Sequence, residues 1–383
     1  MDLRYGLNPE QQARATLDAP GSPVRVLSGH PSYVNVLDGI GAWRLVSEAS
    51  SALASPAAAS FKHVSPAGAA IAGDLDEVMV ERWIPAGVEP SAIATAYVRA
   101  RDCDPKSSFG DFVAVSEPVD HSLAEILRGV VSDGIIAPGY EPGTVDVLAS
   151  KKGGRYLVLE ANPTFTPPAW ETRELFGVGL EQQATLTDIT PALIQAGTET
   201  TLPEPAVRDL LLGMITARHT QSNTVTYSRD GIVLGIGAGQ QSRVDCTKLA
   251  GAKVDTWWLR RHGTVRDLPF SDEVRRQERI NWEIRFIDGD MDPGEARRFR
   301  AALSSEPTAL PTDENEEWIR QLDHVALASD GYIPFRDNID QAARHGVRYI
   351  ADPGGSNRNE EVEAACTEHN IALITTGVRL FLH

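Results

Sequence analysis

The sequence predicts an α/β protein made of two related halves, with mostly parallel sheets flanked by helices. Short apolar runs alternate with amphipathic helical stretches between residues 112 and 160, the pattern produced by crossover connections between parallel strands. The same order returns in the last sixty residues, and in both places a strand ends in a Pro-Gly turn, Ala-Pro-Gly at 137–139 and Ala-Asp-Pro-Gly-Gly at 351–355. With 383 residues, 42% hydrophobic and 23% charged, the chain has the composition of a globular protein and the length for more than one domain. A division at 1–195 and 196–383 follows from the repeat.

Residues 42–59 read as an Ala- and Ser-rich helix, and 59–63 as a short buried strand that delivers Lys62 and His63. The run Val-Ser-Pro-Ala-Gly after it carries turn residues, so the pair is expected where a loop begins. Residues 76–101 have one amphipathic helical pattern. Strands are expected at 112–115, 134–139 and 156–159, with helices at 122–130 and 141–150 between them. Residues 161–205, rich in Pro and Thr, read as a connector. A helix at 204–218 leads through a polar turn into a strand near Tyr227, and charged helices fill 248–305. The crowded acids at 313–317 suit a loop or a helix start. Helices at 338–345 and 360–369 alternate with strands at 347–351 and 371–375. Parallel sheets place ligands beyond the carboxyl ends of their strands.

A net charge of −17 argues against a nucleic-acid polymer as partner. No apolar run approaches the roughly 20 residues of a membrane span, and the N-terminus lacks a basic then apolar leader pattern. Cys103, Cys246 and Cys366 stand far apart, outside any Cys-x-x-Cys pair, which excludes a locally built zinc site and fits buried thiols in a reducing compartment. The cytoplasm is the expected location.

The chemistry concentrates in a few runs. Lys62 beside His63 couples a cation to a side chain that exchanges protons near neutral pH. Gly235-Ile-Gly-Ala-Gly-Gln-Gln-Ser-Arg243 follows an apolar strand, yet Gln240 occupies the third glycine position of a dinucleotide loop and no Gly-Lys-Ser/Thr is present. It reads instead as a glycine turn whose amides, with Arg243, suit a small anion. Arg4 and Tyr5 lie beside the turn residues Gly6, Asn8 and Pro9. Apolar residues continue to the final position, so the C-terminus is expected to pack and to bring Arg379 or His383 into a site.

Taken together, eight runs resemble one family, the formyltransferase part of the bifunctional purine-biosynthesis enzyme that formylates 5-aminoimidazole-4-carboxamide ribonucleotide (AICAR). They are Arg-Tyr-Gly-x-Asn-Pro at 4–9, Phe-Lys-His-Val-Ser-Pro-Ala-Gly at 61–68, Ser-Ser-Phe-Gly-Asp-Phe at 107–112 and Ser-Asp-Gly-Ile-Ile-Ala-Pro-Gly-Tyr at 132–140. Thr-Gln-Ser-Asn at 220–223, the glycine run at 235–243, Ser-Asp-x-x-x-Pro-Phe-Arg-Asp-Asn at 329–338 and Arg-Leu-Phe-x-His at 379–383 complete the set.

The resemblance implies two tandem cytidine-deaminase-like subdomains without the cyclohydrolase domain. The scaffold would work without zinc, since the deaminase His-x-Glu and Pro-Cys-x-x-Cys are absent. It implies transfer of a formyl group from 10-formyltetrahydrofolate to the 5-amino group of AICAR, with Lys62, His63 and Asn223 catalytic. Contacts to AICAR would come from Arg4, Tyr5, Ser107, Gly110, Asp133, Arg243, Phe335, Arg379 and His383. Tyr332, Ile333 and Pro334 would border the folate, a potassium ion would lie near Thr220, Ser222 and Asp330, and the enzyme would be a homodimer. Glu10, Gly331-Tyr332-Ile333 and Leu382 depart from the family pattern. They keep open a formyltransferase acting on a related aminoimidazole, or a non-catalytic AICAR-binding regulator.

Overall fold

In the computed structural model, residues 1–17, 21–184 and 187–382 are described. The first long helix, Tyr33–Leu53, starts well before residue 42 because Ser32 and Asn35 form a capping box, each side chain bonded to the other's backbone N–H. Ala54, in the left-handed conformation, ends it just before Pro56. The pattern over 76–101 divides into helices Glu77–Trp83 and Ala92–Cys103, separated by a segment holding Pro85 and Pro90, which cannot continue a helix.

Strand β1 (Val24–Ser28), unanticipated in the sequence, is followed by β2 (Ala57–Lys62) and β3 (Ser65–Ile71). The expected turn at Val-Ser-Pro-Ala-Gly is thus mostly strand, and the reversal occurs one step earlier at His63 and Val64. Next come β4 (Asp111–Val115), β5 (Ser132–Ala137) and β6 (Leu157–Ala161), close to their expected places. The presumed connector holds an exposed ribbon, β7 (Trp170–Leu175) and β8 (Val178–Gln183), and a short helix, Pro191–Ala196. The second half contains β9 (Val225–Arg229), β10 (Ile232–Gly237), β11 (Val325–Ser329), β12 (Val347–Asp352) and β13 (Ala372–Thr375). The acidic run at 313–317 lies in helix Thr312–Ile319.

Apart from the ribbon, these strands form one mixed sheet in the order β1-β6-β5-β4-β2-β3-β10-β9-β11-β12-β13. The two expected sheets are therefore one, joined where Ala70 of β3 meets Ile232 of β10 in antiparallel pairing. Outward from that seam the halves read β3-β2-β4-β5-β6 and β10-β9-β11-β12-β13, the same hairpin followed by three parallel strands. The internal duplication is thus visible as a repeated strand order.

Alternate residues of the strands feed two cores. Ala57, Ala59 and Phe61 pack with helices Tyr33–Leu53 and Glu204–Arg218, whereas Ala58, Ala70 and Val113 pack with helices Ala92–Cys103 and Arg243–Leu259. Residues 263–320 add a third, smaller core around Phe299. Across the halves, Asp102 is fully buried between Arg260 and Arg261 and accepts the Trp83 indole N–H at 2.9 Å. Burial opposes its charge, but the flanking arginines outweigh burial and hold the carboxyl below the usual carboxylate range.

An antiparallel seam inverts one half relative to the other. The amino ends of β4–β6 consequently share a sheet edge with the carboxyl ends of β11–β13, the β2–β3 tip and the start of β9. The site motifs fall on this edge, so the carboxyl-end expectation holds for the second half only. In the first half Asp111 and Asp133 lie at amino ends, while Ala137-Pro138-Gly139 lies at the opposite edge.

Candidate functional site

The motif residues form two clusters along the shared edge. In the first, Lys62 ends β2 and donates to the Phe109 carbonyl at 2.6 Å. One such bond leaves ammonium hydrogens for another acceptor. His63 and Val64 make a two-residue turn with φ of 54° and 62°. Neither is glycine, and such left-handed positions cost on the order of 1–3 kcal/mol each. The His63 imidazole is exposed and has no side-chain hydrogen bond among the described residues. Beneath the turn, Asp38 accepts the Val64 N–H at 2.6 Å. Burial raises the Asp38 carboxyl above its ordinary value, partly offset by the Val64 N–H and by His63.

Ser107 and Gly110 lie in the turn before β4. The Ser107 hydroxyl donates to Asp104 at 2.7 Å, and the Gly110 N–H donates to the Val131 carbonyl. Below them, Asp111 accepts from Ser60 and Arg101 at 2.8 and 2.9 Å. Asp133 opens onto a cleft of about 260 Å³ shared with Arg4, Asn35, Lys152, Arg155 and Leu157. Lys152 is paired with Asp133, and the Arg4 guanidinium lies over the Tyr5 ring. Asn35, Asp38, Lys152 and Arg155 were not anticipated. The run Lys-Lys-Gly-Gly-Arg at 151–155 was the available signal, two cations and then a third across a flexible turn. Asn35 and Asp38 gave none, because they sit within an apparently ordinary helix.

The second cluster centres on Arg243, which is 7% exposed. Its guanidinium donates to Asn223 Oδ1 at 2.7 Å, Asp330 Oδ1 at 2.5 Å, Ser329 Oγ at 2.8 Å and the Thr224 carbonyl at 3.2 Å. The Asn223 amide donates in turn to the Gln240 and Gln241 carbonyls at 2.9 and 3.0 Å. Both its hydrogens have acceptors, which leaves none for the oxyanion expected of it. Arg243 likewise faces inward here, in place of the open anion contact read from the glycine run. The glycines of that run admit a helix: a Cβ on Gly235 or Gly237 would lie 2.2 or 2.1 Å from the carbonyls of Ala250 and Cys246.

Asp330 is wholly buried, and its Oδ2 has no hydrogen-bond partner among the described residues. Leu380 donates its N–H to the Asp330 carbonyl at 2.9 Å, which ties down the apolar C-terminus as expected. Arg379 is exposed over the Phe381 ring. At Gly331, one of the positions that depart from the expected pattern, a Cβ would meet the Arg243 guanidinium at 2.7 Å. Tyr332 and Phe335 are about half exposed, and Pro334 is partly buried between them. Ile333, expected against the folate, turns its side chain into the core and donates its N–H to Asp352. Thr220 is buried with its hydroxyl bonded to the Thr216 carbonyl, and Ser222 precedes Asn223 at the same turn. His383 lies outside the described residues.

The clusters remain separate within one chain. Lys62 and Asn223 are three strand spacings apart, on the order of 14 Å. All three cysteines are free and buried. Among the described residues there is no group of three or more His, Cys, Asp or Glu placed to hold a metal ion, and no helix is long and apolar enough to cross a membrane.

Comparison with known proteins agrees with the motifs. The family model for the AICARFT/IMPCHase bienzyme matches residues 1–253. The chain is 31% identical over 386 residues to the bifunctional purine biosynthesis protein PurH of Roseobacter denitrificans, covering 100% of this chain and 59% of that protein. PurH proteins of Magnetococcus marinus and Dinoroseobacter shibae are 30% and 29% identical over 390 and 386 residues, with the same coverage. The chain thus spans about three fifths of the length of the curated relatives it matches.

Proposed function

The chain belongs to the AICARFT/IMPCHase bienzyme family, and on that premise we propose that it is an AICAR formyltransferase of purine biosynthesis, with 10-formyltetrahydrofolate as donor. The observation that carries this reading is the whole-chain similarity to PurH proteins together with the Lys62–His63 turn kept on an open sheet edge. The amine of AICAR is conjugated to a carboxamide and is a poor nucleophile. His63 removes its proton as it attacks the formyl carbon, and Lys62 stabilises the resulting oxyanion. His63 then returns the proton to the leaving folate nitrogen.

Arg4, Tyr5, Ser107, Gly110 and Asp133 receive the nucleotide, and Arg379 of a second copy adds a further cation to it. Lys152 and Arg155 add positive charge to the same cleft, which accounts for phosphate binding by an acidic protein. Asn223 and Arg243 fix each other and shape the second wall, and Tyr332, Pro334 and Phe335 offer the exposed surface for flat rings. We place a potassium ion beside Asp330, whose Oδ1 is paired with Arg243 while its buried Oδ2 lacks a partner; with Thr220 and Ser222 as further oxygen donors, it would give Oδ2 the contact it lacks.

We take residues 1–195 and 196–383 as the two subdomains, the cytoplasm as the location and a homodimer as the assembly. The separation of Lys62 from Asn223 supports a site completed by a second copy. So does the ribbon β7–β8, whose Trp170, Leu175, Phe176 and Val178 are exposed. Purified chain mixed with AICAR and 10-formyltetrahydrofolate should yield formylated AICAR and tetrahydrofolate; no formyl product would remove this reading. Gly331 and Ile333 face Arg243 and the core, so they give no support to an altered substrate.

A further inference from the structure

The β2–β3 hairpin has little means of holding its own register. Ala57 faces Ile71, Ala58 faces Ala70, Ala59 faces Ala69 and Ser60 faces Gly68. Alanine and glycine pairs offer little cross-strand packing, and a slip of one residue sends every side chain to the other face. A bulge between Ser60 and Phe61 already shifts the pairing just below the tip. At the tip, Lys62 pairs with Ser65, leaving a two-residue turn in which both residues take positive φ. Such turns select Asn and Gly, and a β-branched residue is an outlier there. His63 and Val64 therefore oppose the turn that carries the reactive pair, and the restraint must come from outside the hairpin.

Asp38 supplies it. The residue is held on the long helix Tyr33–Leu53, it is 6% exposed, and its carboxylate accepts the Val64 N–H at 2.6 Å. The His63 amide lies against the same carboxylate, and the titratable side chains that face it are His63 and Asp133. We propose that Asp38 is the positioning residue of formyl transfer, pinning the His63–Val64 turn and so fixing where Lys62 and His63 meet the substrate. This rests on the formyltransferase reading. The side chain touches no reacting atom; it acts through the turn.

Asp38→Ala in the full chain lowers kcat by about 100-fold, the scale of an ångström-sized misplacement, while KM for AICAR stays within about threefold. Asp38→Asn keeps an oxygen for the Val64 N–H and retains most of the rate. Adding Val64→Gly to Asp38→Ala restores kcat, because glycine holds positive φ unaided. No rescue by glycine, or an asparagine variant as impaired as the alanine one, overturns the proposal. A second readout needs no substrate. In ¹⁵N-valine spectra of the free chain, the Val64 amide exchanges slowly in the parent and rapidly in Asp38→Ala; equal protection in both overturns the proposal. If the parent transfers no formyl group, the functional reading fails while this exchange measurement still decides the role of Asp38.

Discussion

Arg243→Met should destabilise the protein measurably. The arginine is buried and makes four donor contacts, to Asn223, Asp330, Ser329 and the Thr224 carbonyl. Methionine keeps much of the stem volume but removes every donor, leaving Asp330 buried with neither carboxylate oxygen paired to a cation. Removing one partner of a buried ion pair costs about 3–5 kcal/mol, because the remaining charge is uncompensated. At about 2.1 cal/mol/K per residue, unfolding a chain of this length carries an entropy near 0.8 kcal/mol/K, so the cost corresponds to a fall in Tm of about 4–6 °C. Calorimetry of parent and variant measures it. Arg243→Lys should fall between them, since an ammonium reaches Asp330 or Asn223 but lacks the fork that reaches both. Asp330→Asn added to Arg243→Met should recover part of the loss, because a neutral amide is cheaper to leave unpaired. A Tm for Arg243→Met within about 1 °C of the parent would refute the ion-pair account.

His63→Ala is expected to lower turnover at least ~100-fold with AICAR binding retained, read from initial rates and equilibrium titration; near-normal turnover would take the base role from His63. His219 is buried beside Glu48, and burial lowers its imidazole below the ordinary value despite that 2.8 Å contact. The folded state therefore binds fewer protons than the unfolded one below pH 6.5, and stability should decline as pH drops through that window. Melts between about pH 7.5 and about pH 5.5 should show a shallower slope for His219→Gln than for the parent; equal slopes would exclude His219 as the cause. Burial pushes the thiols up, Cys246 to about 11 and Cys366 to about 12, so an aromatic disulfide reagent should titrate no fast thiol until the chain is denatured. Phe176→Asp at the ribbon tip should shift the mass seen by light scattering from dimer to monomer; an unchanged dimer would take the ribbon out of the interface.

How much of this was legible in the sequence depended on whether a feature was local. Strands β4 to β6, β12 and β13 were readable because each is an apolar run bounded by turn residues, whereas the equally apolar β11 was not placed. Strand β3 was not, since Ser65-Pro-Ala-Gly carries turn chemistry and becomes strand only because β2 and β10 flank it. Helix Tyr33–Leu53 was placed late because its start rests on Ser32 and Asn35 hydrogen-bonding reciprocally, which composition does not reveal. Lys62 and His63 stood out as a pair, but Asp38 lies 26 positions from the amide it holds and could not have been connected to it. Ile333 and Arg243 were assigned outward roles on motif grounds, whereas burial turns both side chains inward.

The inverted halves explain why one edge can hold a two-part site. Had the hairpins joined in parallel, each half would present the same edge, and β2 would bring its tip beside an equivalent one. The antiparallel seam between β3 and β10 instead sets the tip of one hairpin beside the open end of the other, where Asn223 enters β9. The first half offers its strained turn and the amino ends of its parallel strands, and the second offers carboxyl ends and a buried polar cluster. Duplicated sequence thereby yields two unlike surfaces on a single edge, one carrying the exposed Lys62–His63 turn and one carrying a buried hydrogen-bonded cluster. The 14 Å scale between them is too long for any one side chain to cross. Only a substrate that spans the two walls, or a second chain that brings another copy of the second wall up to the first, can touch both the Lys62–His63 turn and the Asn223–Arg243 cluster.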